Sequence, residues 1–234
     1  MFKGKSNSSP KKAANSVTNM ANDIIASLKQ SPVTLFLIIL NLVIFFTTYH
    51  YILGYDLANV GQNCVKPSTI VGAFRAGDLV LNRIALSAFV HIDHIHLYYN
   101  MISLGWKGIH LEKAQGSQTF LKLVLYSIFT SHLLYVLLGF TLNAAGFQEH
   151  VSGFNTCAVG FSATIFSLKY VWNTMSPGQN TEFLGVNIPS KTAAWAELLL
   201  INVVSPNTSV QAHVAGMLAG YLYLKYATQQ PIMK

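Results

Sequence analysis

A serine and a histidine in the C-terminal half of the chain have the types and surroundings of a nucleophile and its base. Ser162 opens an apolar run two residues after Gly160, and His213 lies in a later apolar segment with Gly216 and Gly220 on its own helix face. Glycines at this spacing let two membrane helices approach closely. If the helix of Ser162 is that neighbour, His213 can take the serine proton, which is the chemistry of acyl transfer.

Acyl transfer also needs donors for the negative oxygen of the tetrahedral intermediate. His96 and Asn100 are four residues apart and share one helix face, and the backbone N–H of Ser162 lies near a helix start. The residue types alone also allow purely structural roles. Ser162 can serve helix packing, His96 and Asn100 can form an interhelical polar clamp, and His213 can be a structural hydrogen-bonding group.

The composition indicates a membrane protein. Of the 234 residues, 52% are hydrophobic and only 10% are charged, against about 25% charged in an average soluble domain. The run from Val33 to Gly54 contains no Asp, Glu, Lys or Arg and is long enough to cross a hydrocarbon core of about 30 Å as a helix. The net charge of +7 is spread along the chain rather than concentrated on one helix, so nucleic acid is not an expected partner.

Hydropathy and turn signals predict an all-α membrane protein of six transmembrane helices. The predicted parts are a cytosolic basic arm at 1–32 with a short interfacial helix near 17–28, spans at about 33–54, 94–112, 119–141, 157–175, 192–206 and 209–227, a long lumenal loop at 55–93 and a short cytosolic tail at 228–234.

The distribution of Lys and Arg predicts the orientation. The N-terminal arm and the second and fourth connections carry most of these residues, with Lys107 and Lys169 counted among the charges that flank the connections. Because basic residues accumulate on the cytosolic side, both termini are predicted to be cytosolic. The sequence shows no internal repeat, so an inverted-repeat transporter is not supported.

The chain has two cysteines, Cys64 and Cys157, which are too few for a disulfide scaffold or a four-cysteine metal site and are expected to be free thiols. His91, His94 and His96 are crowded together without a matching set of Cys or carboxylate ligands. We therefore expect neither a metal nor a cofactor.

Three separated motifs carry a resemblance to a known family. They are His96-x-x-x-Asn100, Gly160-Phe-Ser162-Ala and His213-x-x-Gly216-x-x-x-Gly220, and Glu112 closes the second predicted span. In this order and in these spans, they resemble the rhomboid intramembrane serine proteases from about residue 33 to 227.

The resemblance implies a six-helix rhomboid bundle that cleaves transmembrane proteins through a Ser/His dyad without a catalytic Asp. It makes Ser162 the nucleophile, His213 the general base, and His96, Asn100 and the Ser162 backbone the oxyanion donors. Supporting roles are implied for Gly160, His91, Gly216, Gly220 and Glu112. The expected substrates lie in the lipid bilayer and are type I or polytopic proteins with unstable helices.

Two further expectations concern location and activity. The runs that begin at Leu97, Trp106 and Trp195 resemble an endoplasmic-reticulum member of the family in animals, which implies that organelle. The alternative function is a catalytically silent, derlin-type relative that binds membrane proteins for quality control, and the presence of both Ser162 and His213 disfavours it.

Overall fold

The computed structural model describes residues 10–47, 60–76, 81–176, 180–183, 186–204 and 208–227. This part of the chain is mostly helical. The helices are α1 Pro10–Lys29, α2 Pro32–Phe46, α3 Val60–Asn63, α4 Pro67–Arg75, α5 Leu81–Ser87, α6 His94–Gln115, α7 Ser117–Ala144, α8 Glu149–Ser152, α9 Ser162–Met175, α10 Ser190–Val204 and α11 Val210–Leu222, which continues as a π-helical turn Tyr223–Ala227.

Helix α9 lies at the centre, where α6, α7, α10 and α11 pack around it. Nine of its residues are buried, among them Ile165 and Leu168, because an apolar helix with neighbours on several sides has no solvent-facing stripe. Towards α7, the hydroxyls of Ser127 and Ser167 lie 2.8 Å apart. The buried position of α9 fixes the residue that opens it, Ser162.

Helices α9 and α11 make the closest approach. A Cβ added at Gly216 would overlap the backbone carbonyl of Ala163, and one at Gly220 would lie 2.6 Å from the carbonyl oxygen of Ser167. Only glycine fits at these two points, since any side chain would have to displace the backbone of α9. The small-residue spacing seen in the sequence thus holds α11 against α9.

Each predicted span overlaps one helix, but the bounds differ. The fourth was predicted from residue 157, whereas α9 begins at Ser162, because the preceding residues pair with another segment and turn at Gly160, whose φ is 101°. The arm contains a longer helix than predicted, and the first loop contains α3, α4 and α5. The stretches 1–9, 48–59, 205–207 and 228–234, which belong to the predicted arm, first span and loop, fifth span and tail, lie outside the described residues.

The all-α prediction missed a small β-ribbon. Strands β1 Asn180–Phe183 and β2 Val186–Pro189 pair antiparallel, with Asn180 opposite Pro189. The ribbon lies between α9 and α10, in the connection between the predicted fourth and fifth spans. Each strand is only four residues long, too short to give a clear alternating pattern in the sequence.

Within the described ranges, Ser117–Ala144 is long and apolar enough to cross a membrane by itself, and Asn22–Lys29 with Pro32–Phe46 meets the same test only as a pair bent by 104°. The other helices that overlap predicted spans are shorter or less apolar. The arrangement of six spans stays a prediction.

The cysteine prediction was wrong. Cys64 and Cys157, 93 residues apart, form a disulfide, and beside it Val65 and Ala158 exchange two backbone hydrogen bonds of 3.0 and 2.9 Å. Sequence spacing does not reveal such a pair, because the fold alone brings the two segments together. The disulfide joins the first loop to the segment that leads into Ser162.

Two lysines counted as loop charges are buried instead. Lys107 is 3% exposed on α6 and Lys169 is 6% exposed on α9. Lys169 forms a salt bridge with Glu197 of α10, which supplies the partner that a buried charge requires. These two residues therefore do not bear on orientation, because the positive-inside rule applies to loop charges.

Glu112 joins the starts of two helices. Glu112 is 2% exposed. Its carboxylate accepts hydrogen bonds from the backbone N–H groups of Val33 and Thr34 at 3.0 and 2.8 Å, from the Thr34 hydroxyl at 2.8 Å and from the Ser117 hydroxyl at 2.7 Å. The first two bonds satisfy donors that the first turn of α2 cannot satisfy itself. Glu112 thus fixes α2 and α7 to the end of α6.

Glu112→Ala is expected to lower the free energy of unfolding by about 3 kcal/mol, because it leaves buried donors without an acceptor and removes a helix cap. Thermal unfolding of the purified protein in detergent measures this loss. Glu149→Ala is the matched control, since Glu149 is exposed and bonds only nearby residues of its own loop. Equal melting temperatures for the two variants would contradict the role given to Glu112.

Candidate active site

Ser162 and His213, 51 residues apart in the chain, meet where α9 and α11 touch. The Ser162 Oγ lies 3.0 Å from the His213 Nε2, within the range of a hydrogen bond. Ser162 is the first residue of α9, so its backbone N–H belongs to the first-turn donors that have no acceptor within the helix. The serine therefore offers a hydroxyl to the histidine and an N–H group to a ligand.

His213 is 1% exposed. One contact positions its ring and another fixes the start of its helix. Its ring stacks on Phe166, with ring centres 4.7 Å apart and planes inclined by 30°. Ser209 caps the start of α11 through a side-chain bond to the Ala212 N–H. Among the described residues the His213 Nδ1 has no hydrogen-bond partner. The arrangement is thus a Ser/His pair without an acidic residue behind the histidine.

His96 lies across the turn from Ser162 and depends on Gly160. A Cβ at Gly160 would lie 2.5 Å from the His96 Cε1 and 2.8 Å from its Nε2, so the imidazole occupies the space that a side chain would fill. Asp93 caps α6 by accepting from the His96 N–H at 2.7 Å. The Asn100 Nδ2 donates to the His96 carbonyl at 2.7 Å, which leaves its second N–H free of that bond.

One cavity of about 160 Å³ collects Ser162, His213, His96 and Asn100 on its walls. In the described part of the chain, the His96 Nε2 and the Asn100 Oδ1 are buried without a hydrogen-bond partner. Buried polar atoms normally have partners. The unpaired atoms around Ser162 indicate that the cavity takes a ligand with polar groups of its own.

His91 lies behind His96 rather than on the cavity wall. Its ring centre is 5.1 Å from that of His96, and its Nδ1 lies 3.2 Å from the Phe89 carbonyl oxygen. Burial, with a smaller effect of the neighbouring His96, lowers the pKa of His91 to about 3. A neutral His91 therefore packs against His96. In the described ranges no three His, Cys, Asp or Glu side chains are grouped to hold a metal ion.

Sequence reasoning did not identify Phe166 or Lys169 as site residues, although they follow Ser162 by four and seven positions and share its helix face. Both line the cavity, as does Glu197, and the Lys169 Nζ lies 4.8 Å from the centre of the Phe166 ring. Their spacing from Ser162 indicates a shared helix face. However, an aromatic residue in an apolar helix is usually a core residue, so the spacing alone does not identify Phe166 as part of a site. Only the fold places Phe166 under His213.

The sequence matches the Rhomboid domain family over residues 79–230. It is 40% identical to Rhomboid-related protein 4 of Homo sapiens over 153 residues, which are 65% of this chain and 46% of that protein. It is also 40% identical to Rhomboid-like protein 14, mitochondrial, of Arabidopsis thaliana over 156 residues, again 65% and 46%. Rhomboid-like protein 15 of Arabidopsis thaliana is 28% identical over 171 residues, 73% of this chain and 41% of that protein. The chain spans about half the length of these relatives.

Proposed function

Because the chain belongs to the rhomboid family of integral membrane proteins, we propose that it is an intramembrane serine endopeptidase that works through a Ser162–His213 dyad. The observation that carries this proposal is the 3.0 Å contact between the Ser162 Oγ and the His213 Nε2 in a cavity that His96 and Asn100 also line. A packing role for Ser162 needs no histidine beside it and no unpaired polar atoms around it.

The reaction begins when the Ser162 Oγ attacks the carbonyl carbon of the scissile peptide and its proton passes to the His213 Nε2. The new C–O bond places a negative charge on the former carbonyl oxygen. The Ser162 N–H and side-chain donors of His96 and Asn100 stabilise that charge, and removal of one such donor typically costs about 100- to 1000-fold in rate. The C–N bond then breaks and His213 gives its proton to the leaving amine.

Hydrolysis of the acyl-enzyme repeats these steps with water as the nucleophile. His213 takes a proton from water, the hydroxyl oxygen bonds to the acyl carbon, and the bond to the Ser162 Oγ breaks as the serine regains its proton. Phe166 positions the His213 ring throughout, since the stacked contact restricts its rotation in the absence of an acidic partner.

We propose that the substrates are type I or polytopic membrane proteins whose spans are unstable helices. In a regular helix each carbonyl accepts a bond from the residue four positions later, so its peptide groups are closed to attack. The cavity beside Ser162 therefore suits a segment that has unwound. Weakly helical spans unwind at the lowest cost, because Gly and Pro reduce helix stability.

The disulfide supports the proposed topology. Disulfides form in oxidising compartments such as the endoplasmic-reticulum lumen, and Cys64 and Cys157 follow α2 and precede α9. If α2 crosses once, the N-terminus lies on the opposite, cytosolic side. We propose an endoplasmic-reticulum location with both termini in the cytosol. Co-fractionation with reticulum and mitochondrial markers tests the organelle, since one relative is named as mitochondrial.

Thiol labelling tests the disulfide directly. A maleimide-polymer reagent added to the denatured, unreduced protein is expected to leave the wild type unmodified, because both cysteines of the chain are in the bond. Cys64→Ser is expected to take up one label at Cys157, and reduction of the wild type adds two. Two labels on the unreduced wild type would contradict the disulfide and the topology argued from it.

A fluorophosphonate probe tests the proposed function without a known substrate. Attack of the Ser162 Oγ on phosphorus releases fluoride and leaves a stable covalent adduct, so the wild type is expected to be labelled and Ser162→Ala is not. In-gel fluorescence and a mass increase on the peptide containing Ser162 measure the adduct. If the folded wild type does not react, the protease proposal is wrong and the derlin-type scaffold takes its place.

A further inference from the structure

A second cavity lies away from Ser162, in a groove between α1, α2 and α6. Its walls are mostly apolar and include Ile24, Leu28, Ile38, Met101, Ile102 and Trp106. On α6, Ile102 and Trp106 are 51% and 63% exposed, so the groove is open on its outer side. In a membrane protein this opening faces lipid.

The groove suits a hydrocarbon chain. Its lining runs along α6 from Tyr98 to His110, about 18 Å at 1.5 Å per residue. Along this length most of the lining side chains are apolar, so an extended acyl chain placed there is removed from polar surroundings.

One end of the groove carries charges of both signs. The Lys113 Nζ donates to the Ser27 hydroxyl at 3.1 Å, and both Ser27 and Asp23 line the groove. Asp23 and Ser27 are four residues apart on α1 and so lie on one face, about 6 Å apart. Among the described residues Asp23 has neither a salt bridge nor a hydrogen bond. Lys113, through its contact with Ser27, and Asp23, one helical turn before Ser27, thus place a cation and a carboxylate near the same part of the groove.

We propose that this groove binds a phosphatidylethanolamine molecule of the cytosolic leaflet. Its phosphate accepts from Lys113 and Ser27, its primary ammonium donates to Asp23, and one acyl chain lies along α6 between α1 and α2. The charge pattern selects this headgroup. Phosphatidylglycerol has no cation for Asp23, and the methylated ammonium of phosphatidylcholine has no N–H to donate.

The position of α1 agrees with this occupant. The last part of α1, Asn22–Lys29, turns by 104° from the axis of α2. It therefore lies across the end of the groove, where Glu112 holds the start of α2. An amphipathic helix in that position lies in the membrane interface, at the depth of lipid headgroups. The acyl chain then extends from the headgroup end towards Tyr98.

Native mass spectrometry of the full chain in detergent tests the proposal. Palmitoyl-oleoyl phosphatidylethanolamine, phosphatidylcholine and phosphatidylglycerol are added separately at equal concentration. The wild type is expected to retain one molecule of the first lipid about tenfold more strongly than either of the others, as the loss of one charge-assisted hydrogen bond predicts. Equal retention of the three lipids, or no retention, would overturn the proposal.

Two variants test the binding of the lipid headgroup and of the acyl chain separately. Asp23→Asn is expected to abolish the preference for ethanolamine over choline. Gly105→Leu fills the groove, because Gly105 lines it with room for a side chain: an added Cβ lies 3.8 Å from the Ile38 Cδ1. It is expected to reduce retention of all three lipids about tenfold, whereas Gly72→Leu, where an added Cβ meets nothing within 4 Å, retains lipid as the wild type does. Unchanged lipid binding in both Asp23→Asn and Gly105→Leu would place the lipid elsewhere.

Discussion

Ser162→Ala is expected to reduce cleavage of a co-expressed type I membrane substrate by at least about 1000-fold, because removal of the nucleophile leaves only oxyanion stabilisation and substrate binding. The abundance of the protein should not change, since the hydroxyl contributes a single hydrogen bond to His213. Immunoblotting of the N- and C-terminal fragments of a substrate tagged at both ends measures the loss.

Ser167→Ala is the matched control for this result. Ser167 lies on the same helix, is fully buried and shares a hydrogen bond with Ser127, so it tests the loss of a membrane-helix hydroxyl without the chemistry. It is expected to leave cleavage within about threefold of the wild type, consistent with a cost of less than about 1 kcal/mol for such a bond. Equal cleavage by wild type and Ser162→Ala would remove the protease proposal.

Gly216→Ala is expected to cause the second large loss of cleavage, although Gly216 does not line the cavity at Ser162. Its new Cβ would overlap the Ala163 carbonyl, so α11 must move away from α9 and carry His213 with it. A displacement of about 1 Å at a reacting group can cost about 100-fold in rate, and overpacking typically costs about 1–3 kcal/mol in stability. Initial cleavage rates and thermal melting of the same preparation measure the two effects.

Gly72→Ala provides the control for the change of residue type. Gly72 lies in helix α4, and an added Cβ there meets nothing within 4 Å, so cleavage and melting should match the wild type or the protein should be slightly stabilised. Wild-type cleavage by Gly216→Ala would show that the close contact between α9 and α11 does not set the distance between Ser162 and His213.

The resemblance to rhomboids, drawn from three short motifs, is confirmed by the family match. Local spacing was informative because it follows the period of a helix, as in His96 with Asn100 and His213 with Gly216. These residues lie in helices in the structure, so each pair shares one helix face. The structure brings the predicted Ser162, His213, His96 and Asn100 to one cavity. Their chemical roles remain proposals.

What the sequence could not supply depends on contacts between distant segments. Lys169 was counted as a loop charge because its burial depends on Glu197, which is on another helix. The pairing of Cys64 with Cys157 depends on two segments 93 residues apart. Glu112 was predicted only as a supporting residue at the end of the second span, whereas its bonds to Val33, Thr34 and Ser117 join three helices. In each case the residue itself was visible in the sequence, but the residue that it contacts could be identified only from the fold.

The disulfide also limits when the two segments can be joined during synthesis of the chain. Cys64 leaves the ribosome 93 residues before Cys157, an interval of about 5–20 s at ordinary rates of synthesis. During that time Cys64 has no cysteine partner within its own chain. The segment before Ser162 therefore becomes cross-linked to the first loop only after Cys157 has been synthesised.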